Sequence, residues 1–305
     1  MTKLSAYVEP EYASLLDEAK ERHHAATEAE TDQRELEVAD LLFCDPVQQW
    51  DEDVRAQRSA DGRPCLSVDR LSTFVHQVVN ETRQQRPQPQ VNPVGDGADK
   101  ETAEILQGMI RHITYMSNGD TAIDRAYESM VRCGRGFFRV LTEYTDPESF
   151  DQEIVIKSIP NLHMVAVDPS FTEPDGSDIE WAFIGSFIPA NVYRNEYPKS
   201  KMASLDDGVW SSIGDDAPDW VQKDGAGCLV VEYFRKIRKA TTICRLKSGK
   251  TVKKADLKDG QEVIDERESI QIEVQWFKLN ALEILDETVW PGFSEALPQK
   301  CGCAP

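Results

Sequence analysis

The sequence predicts an α+β protein, with N-terminal helices followed by a mostly antiparallel β-sheet region. Three observations carry this. Apolar residues recur at helical spacing up to residue 132, and they recur at every second position after residue 137. Neither an internal repeat nor an alternation of strand with helix is visible, which argues against a parallel sheet.

The elements follow in order. Residues 11–42 are rich in Glu, Ala, Leu and Lys and contain no proline, so one long helix is expected. Its apolar positions, Tyr12, Leu15, Ala19, Ala26, Leu36, Leu41 and Leu42, form a sparse stripe. So narrow a stripe packs on one neighbour or on a partner subunit and leaves the rest in water. His23 and His24 are expected in solvent. Asp45-Pro46 ends this helix, and "DGRP" at 61–64 makes a turn. A second helix over 67–84 carries Val68, Leu71, Phe74, Val75, Val78 and Val79, with His76 off that stripe. "RPQPQVNPVGDG" at 86–97 is an extended connector. Helices follow at 100–117, through Ala103, Leu106, Met109, Ile110 and Ile113, and at 121–132, through Ile123, Ala126, Tyr127 and Met130.

Strands are expected at 137–144, 153–159, 181–188, 229–238, 241–246 and 268–279. The last has the clearest alternation, with Ile270, Ile272, Val274 and Trp276 against Gln271, Glu273 and Gln275. Residues 168–178 read as a loop, 191–198 as a short helix stopped by Pro198, and 204–226 as an acidic excursion.

The stretch "RCGRGFFRVLTEYTD" (132–146) poses a question of chemistry, because Gly134 and Gly136 flank Arg135. A phosphate-cradling loop needs its glycines after a strand and before a helix, where backbone N–H groups point at the anion. Here a helix precedes and a strand follows. Gly134 therefore suits a left-handed helix C-cap, and nucleotide binding is not expected.

Composition excludes further classes. The 305 residues suffice for a sizeable core or two domains. No run of about 18 apolar residues exists to span a membrane. The first residues lack the apolar core of a signal peptide, which leads to the expectation of a chain made and kept in a cytoplasm. Seven cysteines, at 44, 65, 133, 228, 244, 301 and 303, include no CxxC pair. Free thiols are expected and a zinc site is not. The net charge of −20 opposes condensation on DNA. The densest basic stretches, "RKIRK" at 235–239 and "TVKK" at 251–254, read as solvated strand faces. "DPSFTEPDGSD" (168–178) holds several acids but lacks the calcium-loop register, so a surface turn is expected. GxSxG, HExxH and the full phosphate-loop pattern GxxxxGK[ST] are all absent; the lone GKT at 249–251 lacks the glycine five positions before it. Trp181, Trp210, Trp220, Trp276 and Trp290 are assigned to packing rather than to base stacking. No catalytic, cofactor-binding or metal-ligating residue is expected.

Three longer stretches go further. "RPCLSVDRLSTFVHQVVNETRQQRPQPQVNPV" (63–94), "CGRGFFRVLTEYTDPESFDQEIVIKSIPN" (133–161) and "VDPSFTEPDGSDIEWAFI" (167–184) resemble, in order and interval, the portal proteins of short-tailed P22-like bacteriophages. The likeness covers roughly 30–290. It implies a non-enzymatic structural protein without cofactors, forming a homo-oligomeric ring, usually of twelve subunits, at one capsid vertex. DNA would be packaged and ejected through that ring, and a negative wall would let the polyanion slide without sequence-specific binding. The implied partners are other copies of the chain, the terminase, capsid or scaffold proteins and tail proteins, with no membrane. The implied location is the virion, after assembly in the host bacterial cytoplasm. Residues 1–132 would form the helical part of the portal wing and 133–290 its β-rich part, with Gly134 and Gly136 at the corner between them.

Departures from the family pattern also stand in the sequence. The order Pro160-Asn161 replaces Asn-Pro. After Trp290-Pro291-Gly292, the tail 291–305 does not match, and the stem, clip and crown are expected to be missing. A non-catalytic α+β binding module of phage or host, or a truncated prophage remnant, are the alternative readings.

Overall fold

The computed structural model describes residues 10–46, 49–86, 88–93, 99–146, 148–202, 227–247, 251–257, 262–280 and 282–290. The chain divides into two compact units. One combines the chain up to Ala29 with the chain from Met164 onward, and the other is Glu30–His163.

The single long helix expected at the N-terminus is two, α1 (Pro10–Ala29) and α2 (Thr31–Cys44), separated at Glu30 (φ −99°, ψ 3°). The break has no proline or glycine to cause it. Asp45 ends α2, as Asp45-Pro46 predicts.

In the Glu30–His163 unit, α2 is followed by α3 (Glu52–Ala60), α4 (Leu71–Gln84), α5 (Lys100–Met116) and α6 (Gly119–Cys133). The α3 segment was not expected. It buries no residue, so it has no apolar stripe to reveal it. Gly62 makes the predicted turn after it at φ +67°. The start of α5 is capped by Asp99, whose carboxylate accepts from the N–H groups of Glu101 and Thr102 at 3.2 Å. Helix α6 is the hub. Its buried Gly119, Ala122, Ala126 and Cys133 let neighbours approach closely, and α2, α4 and α5 all pack on it. The unit ends in an antiparallel pair, β1 (Phe138–Tyr144) and β2 (Gln152–Ser158), which also packs on α6. The stripe predicted on α4 is narrower than expected. Val75 and Val79 are buried, while Val68, Phe74 and Val78 are exposed.

The other unit holds an antiparallel sheet in the order β3 (Val165–Val167), β4 (Trp181–Pro189), β5 (Gly227–Leu246), β7 (Val263–Leu279), β8 (Ile284–Val289). The short β6 (Thr251–Lys253) pairs with β5 beside this path. The two strands expected at 229–238 and 241–246 are one, β5, because β7 pairs with it continuously through Lys239–Ala240. Helix α7 (Ala190–Glu196) packs on β4 and β5, matching the short helix expected before Pro198.

The core is a cross-strand aromatic row. Phe183 on β4 is register partner to Tyr233 on β5, which is partner to Phe277 on β7. The Phe183 and Tyr233 rings stack at 4.6 Å between centroids. Each such buried side chain contributes about 2–3 kcal/mol. Leu15, Leu16, Ala19 and Ala26 of α1 join this core.

Two corrections follow. His23 was expected in water but is buried, its ring edge-on to Phe183 at 5.4 Å. It stands four residues after Ala19 and three before Ala26, on the buried face of α1; His24 is exposed as expected. On β7, the face marked by Ile270, Ile272, Val274 and Trp276 is not the one in the main core. Phe277 and Leu279 enter it from the opposite face, and Ile270 is 64% exposed. Both faces of β7 carry apolar residues, and only neighbouring elements choose between them.

Candidate functional site

The glycine–arginine–glycine corner between α6 and β1 is where the sequence raised its sharpest chemical question, and three local facts build it. Gly134 adopts φ +87°, and its N–H donates to the Met130 carbonyl at 2.9 Å, closing α6 as a left-handed C-cap. Gly136 lies against the preceding helix, where an added Cβ would stand 1.8 Å from the Ala126 carbonyl oxygen. Between them Arg135 turns inward. Its Nε and Nη2 donate to Glu37 at 2.5 and 2.9 Å, and its Nη1 donates to Glu30 at 2.8 Å.

This is a fork-to-carboxylate arrangement. Glu37 is fully buried, and it also accepts from Gln33 and lies 3.8 Å from His163 Nδ1. Burial alone would pull the Arg135 pKa down, but its hydrogen bonds and attraction to Glu37 and Glu30 hold it above the ordinary value. The arginine stays charged and committed to protein carboxylates. The corner is therefore a structural joint. Neither the capped Gly134 N–H nor the Arg135 fork faces a phosphate.

The basic stretch at 235–239 is likewise committed. Arg235 pairs with Glu18, Arg238 with Glu180, and Lys239 with Glu273. Lys236 donates to the Ser177 carbonyl at 2.8 Å, and burial lowers its pKa. Further out, Lys254 pairs with Glu266. These pairings commit Arg235, Arg238, Lys239 and Lys254 to protein carboxylates rather than to DNA phosphates.

The acidic loop at 168–178 spends its aspartates on local turns. Asp178 accepts from the N–H groups of Thr172 and Glu173 and from the Thr172 hydroxyl, and Asp168 accepts from Ser170 and from Glu180 N–H. Those bonds hold the Asp178 pKa below the ordinary carboxylate value, the Thr172 N–H first among them. Among the described residues no group of three or more His, Cys, Asp or Glu could hold a metal ion. Among the same described residues no helix is long and apolar enough to cross a membrane.

Trp181 is buried in the core, the Trp276 indole N–H donates to Glu232 at 2.8 Å, and Trp290 packs edge-on against Phe234. Trp210, Trp220, Cys301, Cys303, the 204–226 excursion and the 291–305 tail lie outside the described residues. A shallow groove of about 480 Å³ lies beside the end of α2 and the start of α4, lined by Phe43, Cys44, Trp50, Leu66 and Val68.

Sequence reading placed Gly134 and Gly136 at the corner but missed the carboxylates that hold Arg135. Glu30, Arg34 and Glu37 fall at spacings of four and three on the helix expected to be solvated. That spacing puts them on one face, the one signal available.

Comparison with known proteins bears on what this scaffold is. A family described as phage P22-like portal protein matches residues 20–301. A protein named "Portal protein" from Acyrthosiphon pisum secondary endosymbiont phage 1 is 30% identical over 150 residues, which cover 48% of this chain and 21% of that relative. The chain thus spans about a fifth of the length of the curated relative it matches.

Proposed function

Because the chain belongs to the phage P22-like portal protein family, a family of structural virion components, we propose that it acts in the passage of phage DNA through one capsid vertex, during packaging and again on ejection. The observation that carries this reading is the family match over residues 20–301. The corner geometry supports it. The Gly134 N–H and the Arg135 guanidinium, the groups a phosphate loop would turn to a ligand, are spent on holding a helix-to-strand joint.

In this reading copies of the chain form a closed ring, usually of twelve subunits, through repeated heterologous contacts. Terminase, capsid or scaffold proteins and tail proteins are its other partners. DNA passes without sequence-specific contact, and the net charge of −20 favours sliding over retention. The protein carries out no catalysis and needs no cofactor. Residues 1–132 make the helical part of the wing and 133–290 its β-rich part. Assembly takes place in the host bacterial cytoplasm, before the ring enters the virion.

Immunogold electron microscopy of phage particles, with antibody raised against the 305-residue chain, tests this. Label at a single vertex is the expected result. Label over the whole shell, or on no particle, would refute the vertex role.

A further inference from the structure

Helix α5 shows an apolar ridge to water. Only Ala103 of its 17 residues is buried. Ile105, Leu106, Met109, Ile113 and Met116 fall within about 100° of arc around the helix, along about 16 Å of its length. Of these, Ile105, Leu106, Met109 and Met116 are exposed. Gly108 stands three residues after Ile105, in mid-helix, where glycine weakens a helix. An added Cβ there would meet nothing within 4 Å, so the packing of the chain does not call for a glycine. A position without a side chain does let a second surface come close to the backbone.

The groove beside the end of α2 and the start of α4 has the complementary form. Its walls include Phe43, Leu66 and Val68, which are 67%, 75% and 79% exposed. The charged residues lining it are Asp69 and Arg70. Asp69 is spent on the start of α4, where it accepts from the Ser72 N–H at 2.9 Å, while Arg70 is exposed. On α5 the exposed Glu101 stands four residues before Ile105, on the flank of the ridge. Ridge and groove both belong to the compact unit Glu30–His163, in which α5 packs on α6 and β2.

We propose that α5 of one copy seats in this groove on a second copy, with Ile105 and Met109 entering among Phe43, Leu66 and Val68, and with Glu101 meeting Arg70. An amphipathic helix laid in an apolar groove and anchored at four-residue spacing is a recurrent way for proteins to join. Because α5 is held on α6 and β2, it reaches the groove of a neighbour and not its own. The contact joins two different faces, so each copy offers its ridge to one neighbour and its groove to the other, as a closed ring requires. The inference rests on the ring reading and deepens it by naming the two faces. A contact of this size lies at the small end of specific interfaces, under about 1,200 Å² in total. Taken singly it holds at micromolar concentration, and closure of the ring multiplies it.

Sedimentation velocity of the whole chain across a micromolar concentration series tests this. Met109→Asp spoils the ridge and Leu66→Asp the groove. Both side chains are exposed, so both variants should fold, which circular dichroism checks. Each variant alone should self-associate at least ten-fold more weakly than the parent. An equimolar mixture of the two should give a species of two chains and nothing larger, because Met109→Asp keeps its groove and Leu66→Asp its ridge. Arg70→Glu should weaken association as well, and Glu101→Arg added to the same chain should restore it. A mixture no better associated than its components, a charge exchange that restores nothing, or a parent monomeric at every concentration would overturn the proposal. Rings untouched by both aspartate substitutions would overturn it too, while leaving the ring reading in place.

Discussion

Replacing Gly136 with alanine adds one methyl group at a place where the backbone has no room. The new Cβ would stand 1.8 Å from the Ala126 carbonyl oxygen, 2.7 Å from its carbon and 3.1 Å from its Cα. These are backbone atoms of α6, so no side chain can rotate away. Relief requires the corner to lift off the helix by more than an ångström, which would also drag Arg135 from Glu37 and Glu30. Overpacking that only displaces side chains costs about 1–3 kcal/mol. Forcing backbone apart and loosening a buried ion pair belongs at or above the top of that range, about 3 kcal/mol. Two other glycines supply controls with the same added methyl. At Gly134 there is open space but φ is +87°, so alanine should cost about 1–2 kcal/mol from backbone strain alone. Gly108 lies within α5 with nothing within 4 Å of the added carbon. There alanine should stabilise by up to about 1 kcal/mol through helix propensity. Urea unfolding of the three variants, followed by far-ultraviolet circular dichroism, reads the order directly. Equal effects at the three sites, or a Gly136→Ala protein as stable as the parent, would refute the packing account of the corner.

Other expectations concern the core, the buried charges and the acidic loop. Phe183→Ala, which empties a fully buried site stacked on Tyr233, should destabilise by about 3–5 kcal/mol in the same unfolding assay. Glu37→Leu removes the buried partner of the Arg135 fork and should cost about 3 kcal/mol, since a half-paired buried charge remains. Thermal unfolding with Arg135→Met as a second variant and the double variant as the third corner of a cycle will show whether the two losses couple. Asp178 has a folded pKa below its ordinary 3.8, so its hold on the loop is complete above that value and is lost as pH falls through the folded pKa. The amide signals of Thr172 and Glu173 should therefore shift on acidification below about pH 4, and Asp178→Asn should abolish that titration.

Local signals in the sequence sufficed for much of this protein. The period of apolar residues determined the type and order of α4, α5, α6, β1, β2, β4 and β7, because an amphipathic stripe needs only its own residues to be recognised. Gly134 was legible as a C-cap because the left-handed conformation strongly favours glycine there. The ordered stretches at 63–94, 133–161 and 167–184 were enough to indicate the family. Where two distant parts of the chain had to meet, the sequence was silent. The partners of Arg135 lie 98 and 105 residues away, on a helix whose charged face looked solvated. The burial of His23 and the choice of Phe277 and Leu279 over Ile270 as core depend on what packs against those residues. An alternating strand announces two faces but not which one will be covered, and a carboxylate does not reveal whether water or an arginine will solvate it. Tertiary structure decided those points, because burial and ion pairing are properties of neighbours that the local sequence does not contain.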